Sequence, residues 1–187
     1  MSFTTLDNVA LYLNKLDATE LTPLETAQLS ALITQVDGII QNYCGWNILA
    51  KDYVSKKFNG TNADTIDIEA YPLISVTSVI MDTVDITSQI TTANSEGYLI
   101  TNDASTFSTG INNVTATYRA GFESANIPSE LTYAATYLVV LNYQKITNEM
   151  FGVSKGKVDA VEVTFESSNL PTLVQNVLNR YMLVVVR

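Results

Sequence analysis

The 187-residue chain predicts an α+β fold, mainly helical, in which a four-helix core carries an antiparallel β module between its second and third helices. Three observations carry this. Apolar residues recur at helical spacing near both ends of the chain, they alternate with polar residues through its middle, and the stretch Val114 to Gln144 passes from the second rule to the first. There Val114, Ala116 and Tyr118 point one way and Thr115, Thr117 and Arg119 the other. Past Gly121 and Pro128, Leu131, Ala134, Ala135, Leu138 and Leu141 fall on one helical face. With 47% hydrophobic residues, the chain can bury a core as a single domain.

The first helix is expected over about residues 5–16, with Leu6, Val9, Ala10 and Leu13 as its stripe. The second, about 22–44, opens on a capping box, Thr22-Pro23-Leu24-Glu25, with proline at the first helical position. Its seam reads Leu29, Leu32, Ile33, Val36, Ile39, Ile40 and Tyr43, and Gly45 supplies a left-handed stop. The β insertion covers about 51–121. Its strands are "YVSKKF", "TIDIEAYPL" closed by Pro72, "SVTSVIMD" with Val76, Ser78 and Ile80 alternating against Thr77 and Val79, "GYLIT", and "NVTATYRA". Gly121 permits the turn out of the last strand, and Pro128 bars the helical region at Ile127 while opening a third helix over 129–147. Residues of about 150–168 read as a mobile loop, with Gly152, Lys155, Gly156 and Lys157 at its tip, followed by one β-prone run. Asn169 is expected to cap a fourth helix, about 170–181, whose apolar side is Leu173, Val174, Val177, Leu178 and Tyr181. No internal repeat is present.

Composition excludes much chemistry. Ten Lys plus Arg against nineteen Asp plus Glu give a formal charge of −9, which argues against coating duplex DNA, since phosphates must be neutralised by cations. A surface that DNA merely slides past remains compatible. Without histidine the commonest general base and metal ligand is missing. The lone Cys44 excludes an internal disulfide and a multi-cysteine zinc site. The start "MSFTTLDNVALYL" has no basic n-region, and no apolar run approaches membrane-spanning length, so a soluble, cytoplasmically made protein is expected.

The remaining constellations favour structure over catalysis. Asp64/Asp67 and Asp82/Asp85 are the close acidic pairs, but both sit beside turn residues, where aspartate bonds its own backbone. "GVSKGKV" lacks the spacing and the hydroxyl of a phosphate loop. Cys44 ends a helix, where thiolate is not favoured, so it reads as a small packing residue. Lys51, Lys56 and Lys57 read as guards of an edge strand, with anion binding as the runner-up.

Taken in order, "TLDNVALYLN", "IIQNYCGWNI", "KKFNGTNADTIDIEAYPLISVTSVIMD", "VTATYRAGFESANIPSELTYAATYLVVLNYQ" and "LPTLVQNVLNRYM" resemble the head–tail connector family of tailed phages. These are the adaptor, or head-completion, proteins of siphophages and related prophages. The similarity spans roughly residues 4–181. The helix-ending Tyr-Cys-Gly of the family is matched by Tyr43, Cys44 and Gly45, its proline-led strand by Pro72, Ile74, Ser75 and Val76, and its glycine turn by Tyr118, Ala120, Gly121 and Phe122, with Pro128 beyond. Trp46 stands where such proteins often carry arginine, and 82–113 is longer than the compact hairpin of the family.

The resemblance implies a structural protein of the virion, assembled in the host cytoplasm, with no enzymatic activity, cofactor, metal site or membrane contact. Its copies would form a twelvefold ring beneath the portal protein. That ring would extend the DNA channel, pass DNA without specific binding, and offer a platform to the stopper or tail-completion protein. Gly152, Lys155, Gly156 and Lys157 would then face the lumen. From its own residues, five of them apolar in a row, the tail Met182, Leu183, Val184, Val185, Val186 and Arg187 is expected to contact the portal or a neighbouring subunit, or else to pack on the helices of its own subunit. The competing expectations are a generic cytoplasmic interaction module with no virion role and, less favoured, a hydrolase using the acidic pairs.

Overall fold

A computed structural model describes residues 1–102, 105–147, 155–158, 161–164 and 170–182. The helices are α1 (Leu6–Tyr12), α2 (Pro23–Cys44), α3 (Ser129–Thr147) and α4 (Thr172–Leu178). The strands are β1 (Lys51–Gly60), β2 (Thr65–Asp67), β3 (Leu73–Met81), β4 (Val84–Asp85), β5 (Tyr98–Ile100), β6 (Gly110–Ala120), β7 (Lys155–Val158) and β8 (Val161–Thr164). Helices together with wholly antiparallel strand pairs make the class α+β. The chain divides into two compact units, Trp46–Asn126 with Met1, and Ser2–Gly45 with Ile127–Arg187.

In the helical unit, α2 begins where its capping chemistry dictates. Thr22 Oγ1 accepts from Glu25 N at 3.2 Å and Glu25 Oε2 accepts from Thr22 N at 2.8 Å, so two otherwise orphaned donors are satisfied reciprocally. The helix ends at Gly45, in the left-handed region with φ 80°. Leu29, Leu32, Ile33, Val36, Ile40 and Cys44 are buried along it, whereas Ile39, expected in the seam, is 41% exposed. α3 buries Leu131, Ala134, Ala135, Leu138 and Val139. Full burial of a leucine or valine of this kind contributes about 1.5–3 kcal/mol. The buried Thr4 and Thr136 hydroxyls satisfy each other at 2.6 Å.

α1 stops at Tyr12, short of the expected Leu16. The cause is Asn14, which adopts φ 60°, a conformation asparagine tolerates better than most residues. Lys15 N then donates back to Ala10 O at 3.0 Å and closes the turn. The following residues form a short 3-10 turn, Ala18–Glu20, capped by Asp17, which accepts from Thr19 N at 2.7 Å. At the far end, α4 runs straight into a second 3-10 turn, Asn179–Tyr181. The expected cap Asn169 lies outside the described residues.

The β unit contains a four-stranded sheet in the order β1-β6-β3-β4 and a separate β2-β5 pair. Strand β6 is central and keeps its predicted alternation, with Val114, Ala116, Tyr118 and Ala120 buried and the residues between them less so. Strict alternation fails on β3. A register shift between Val76 and Ser78 leaves Val76 opposite Tyr118 and Val79 opposite Ala116. These two valines, three apart, therefore share the inner face, and the expected grouping of Val76 with Ser78 and Ile80 does not hold. "TIDIEAYPL" is also shorter as a strand than expected. Asp67 accepts from Glu69 N at 2.8 Å and Glu69 adopts φ 53°, which turns the chain after three residues of β2.

Candidate interaction surfaces

The residues of the family motifs hold the fold. In the helical unit, Tyr43 Oη donates to Asn179 Oδ1 at 2.8 Å, and Cys44 Sγ lies 3.7 Å from Leu178 O. Cys44 is 2% exposed, and burial pushes its thiol up to about 11, so it is held protonated. The Pro128 carbonyl accepts from Leu131 N at 2.9 Å and starts α3. In the β unit, Gly121 N donates to Pro72 O at 2.9 Å. Its φ of 108° and the crowding of a hypothetical Cβ against Leu49 both require glycine. Tyr118 is buried, its hydroxyl directed at Ile68 O at 3.4 Å, and burial raises its pKa well above the ordinary phenol value.

Two of the four paired aspartates, Asp67 and Asp85, act as turn fasteners. Asp85 accepts from Thr87 N at 2.9 Å and from Thr87 Oγ1 at 2.6 Å, which lowers its pKa. Asp82 accepts from Ser108 Oγ at 2.5 Å, and Asp67 caps its own turn. Asp64 contributes its backbone carbonyl to Thr101 N at 3.0 Å. Among the described residues, no group of three or more Cys, Asp or Glu is placed to hold a metal ion.

Strand β1 carries the first notable surface. It is an edge strand, exposed along most of its length, with a bulge at Ser55 where φ is 51°. On its inner face Tyr53 stacks on Tyr118, with ring centroids 4.9 Å apart and planes 13° from parallel. Lys51 and Lys56 lie 6.0 and 5.9 Å from the Tyr53 centroid, within cation–π range. The stack lines a cleft of about 350 Å³ together with Trp46, Phe58, Lys56, Lys57, Asp67 and Glu69. Among the described residues, Lys51, Lys56 and Lys57 form no ion pair. Asp52, beside them in sequence, is bound instead to Arg119 at 3.0 Å. Sequence reading placed the three lysines on one strand but missed the tyrosine stack. Its signal was the equivalent inward register of Tyr53 and Tyr118, readable only once β1 is known to pair with β6.

A second surface, in the helical unit, was not anticipated at all. Asp7 Oδ1 accepts from Ala18 N at 2.9 Å and Glu20 Oε2 accepts from Leu16 N at 3.0 Å. These bonds tie α1 to the 3-10 turn, so that Asp7, Asp17 and Glu20, all exposed, lie on one short folded-back segment with Leu11 and Leu16, which are 58% and 80% exposed. The nearby cation Lys15 is taken by Glu25 at 2.9 Å.

Of the residues read as a loop, Lys155, Gly156 and Lys157 lie on β7, paired with β8, and Gly152 falls outside the described residues. Met182 is 44% exposed; Leu183, Val184, Val185, Val186 and Arg187 fall outside the described residues.

The candidate residues thus amount to side chains that fasten turns, a thiol held protonated and exposed patches of charge and hydrocarbon. A sequence model of the family described as "Head completion protein" matches residues 2–184, and the chain belongs to that family. Its role is accordingly structural, at the head–tail junction of a tailed-phage particle. Two solved structures share the fold. One is a chain from "Neck of empty GTA particle computed with C6 symmetry", at 14% identity and TM-score 0.59, covering 100% of this chain and 96% of that one. The other, from "Neck of native GTA particle computed with C12 symmetry", is 15% identical with TM-score 0.50 and the same coverage. No curated protein matches the chain significantly.

Proposed function

We propose that the chain is the adaptor subunit of a phage neck. Copies assemble as a ring, twelvefold in the virion, beneath the portal protein after DNA packaging, lengthen the DNA channel, and seat the stopper or tail-completion protein. The observation that carries this reading is the family match across residues 2–184. The necks with C6 and C12 symmetry that share its fold support the ring, and a net charge of −9 suits a lumen that must pass DNA without gripping it. The segment containing Gly152, Lys155, Gly156 and Lys157 is assigned to the channel side. The tail from Met182 to Arg187 is assigned to a portal or neighbour contact, where five consecutive apolar residues would be covered. The test is deletion of the gene. The expected products are DNA-containing heads and separate, complete tails. Normal virions from the deletion strain would exclude the role, and heads that never package would move it to an earlier step.

A further inference from the structure

A ring built from identical subunits needs two different surfaces that fit each other, because each copy offers one to its neighbour on either side. We propose that the lysine edge of β1 in one copy docks on the acidic, leucine-bearing face between α1 and the 3-10 turn Ala18–Glu20 of the next. This rests on the ring reading above and adds to it the faces that meet.

The two faces join charge complementarity to exposed hydrocarbon. Three lysines, 51, 56 and 57, project from one exposed strand of a chain that has ten cations in all. Among the described residues none of the three has an anionic partner within ion-pair distance, although Asp67 and Glu69 line the same cleft as Lys56 and Lys57. Asp7, Asp17 and Glu20 are the matching excess. Each accepts local hydrogen bonds, which fix its position, and none is neutralised by a described cation. Each surface also leaves aliphatic side chains in water, Val54 at 72% on β1 and Leu11 and Leu16 beside the carboxylates. Like faces would repel, lysine against lysine and carboxylate against carboxylate. Only the head-to-tail pairing is attractive, and that is the pairing a ring requires. The bulge at Ser55 disfavours simple strand addition along this edge, so the contact is made by side chains.

Carbodiimide coupling, which joins lysine amines directly to carboxylates they touch, tests the pairing on the intact protein. A mixture of unlabelled and ¹⁵N-labelled chains, concentrated at about 50 mM salt, is coupled, digested and read by mass spectrometry. Mixed-isotope peptides joining Lys51, Lys56 or Lys57 to Asp7, Asp17 or Glu20 are expected. They should fall at least about tenfold in yield at roughly 500 mM salt, and disappear in Lys56→Glu/Lys57→Glu. That variant should stay within about 4 °C of the wild-type melting temperature, since both positions are exposed and the change costs only the Lys56 cation–π contact with Tyr53. Mixed-isotope links confined to other residues would overturn this interface and leave the ring intact. A protein that remains monomeric under all conditions and yields no mixed-isotope link would overturn the interface and the self-assembly reading together.

Discussion

Two glycines should answer the same substitution with opposite signs. Gly121 sits at φ 108°, and a Cβ there would lie 2.8 Å from both C and O of Leu49 and 2.9 Å from Ala50 Cα. That backbone cannot easily retreat, because Phe122 N donates to Ile48 O at 2.8 Å and Ala50 N to Phe122 O at 2.9 Å. Strain in this region of φ costs about 1–3 kcal/mol, and forcing an extra carbon into a packed site about 1–3 kcal/mol more. Gly121→Ala is therefore expected to lose about 3 kcal/mol or more, which for a chain of this size lowers Tm by roughly 6–12 °C. Gly38, inside α2, has no atom within 4 Å of the corresponding position. There Gly38→Ala should gain about 0.5–1 kcal/mol, the helical advantage of alanine over glycine. Urea unfolding followed by circular dichroism gives both numbers. A Gly121→Ala variant within about 0.5 kcal/mol of wild type, or a Gly38→Ala variant that is destabilised, would refute the reasoning.

Cys44 should be silent toward Ellman's reagent in the native protein at pH 8 and react fully in denaturant, since its pKa of about 11 leaves roughly one molecule in a thousand as thiolate even where the reagent has access. Glu25 is lowered from 4.5 to about 2, chiefly by the Thr22 backbone hydrogen bond and then by Lys15. Its folded-state pKa is depressed, so the stability it supplies is complete above 4.5 and lost as pH falls toward 2; Glu25→Gln should flatten the acid limb of a stability–pH curve in that window and leave neutral-pH thiol protection of Cys44 intact. Truncation after Tyr181 should leave Tm unchanged and abolish recruitment to portal-bearing heads. A large fall in Tm would instead return the tail to its own subunit.

Legibility in the sequence followed the range of the interaction. The limits of α2 were readable because Thr22, Pro23, Glu25 and Gly45 act within one turn of where they stand, and β6 because its inner face is continuous. The early stop of α1 was missed since the stripe reaches Leu13 and no breaker follows before Leu16, while one left-handed asparagine ended the helix. The grouping on β3 was missed because a bulge at Thr77 resets the period, and a bulge has no signature in a run of β-branched and small residues.

The surfaces follow the same logic at longer range. Each of Asp7, Asp17 and Glu20 is accounted for locally, as a helix-start acid or a turn cap, and nothing in their spacing announces a shared face. They meet because α1 ends early and the chain folds back, so that Asp7 reaches Ala18. The lysines of β1 show the converse. Their spacing was visible and its bland explanation, an edge kept from aggregating, is physically sound. What shifts the balance is that Asp52, the obvious partner, is already bound to Arg119. A guarded edge needs only charge. An edge whose lysines remain without an ion pair after Asp52 has been taken by Arg119, on a chain proposed to form a ring, has charge left for a neighbour.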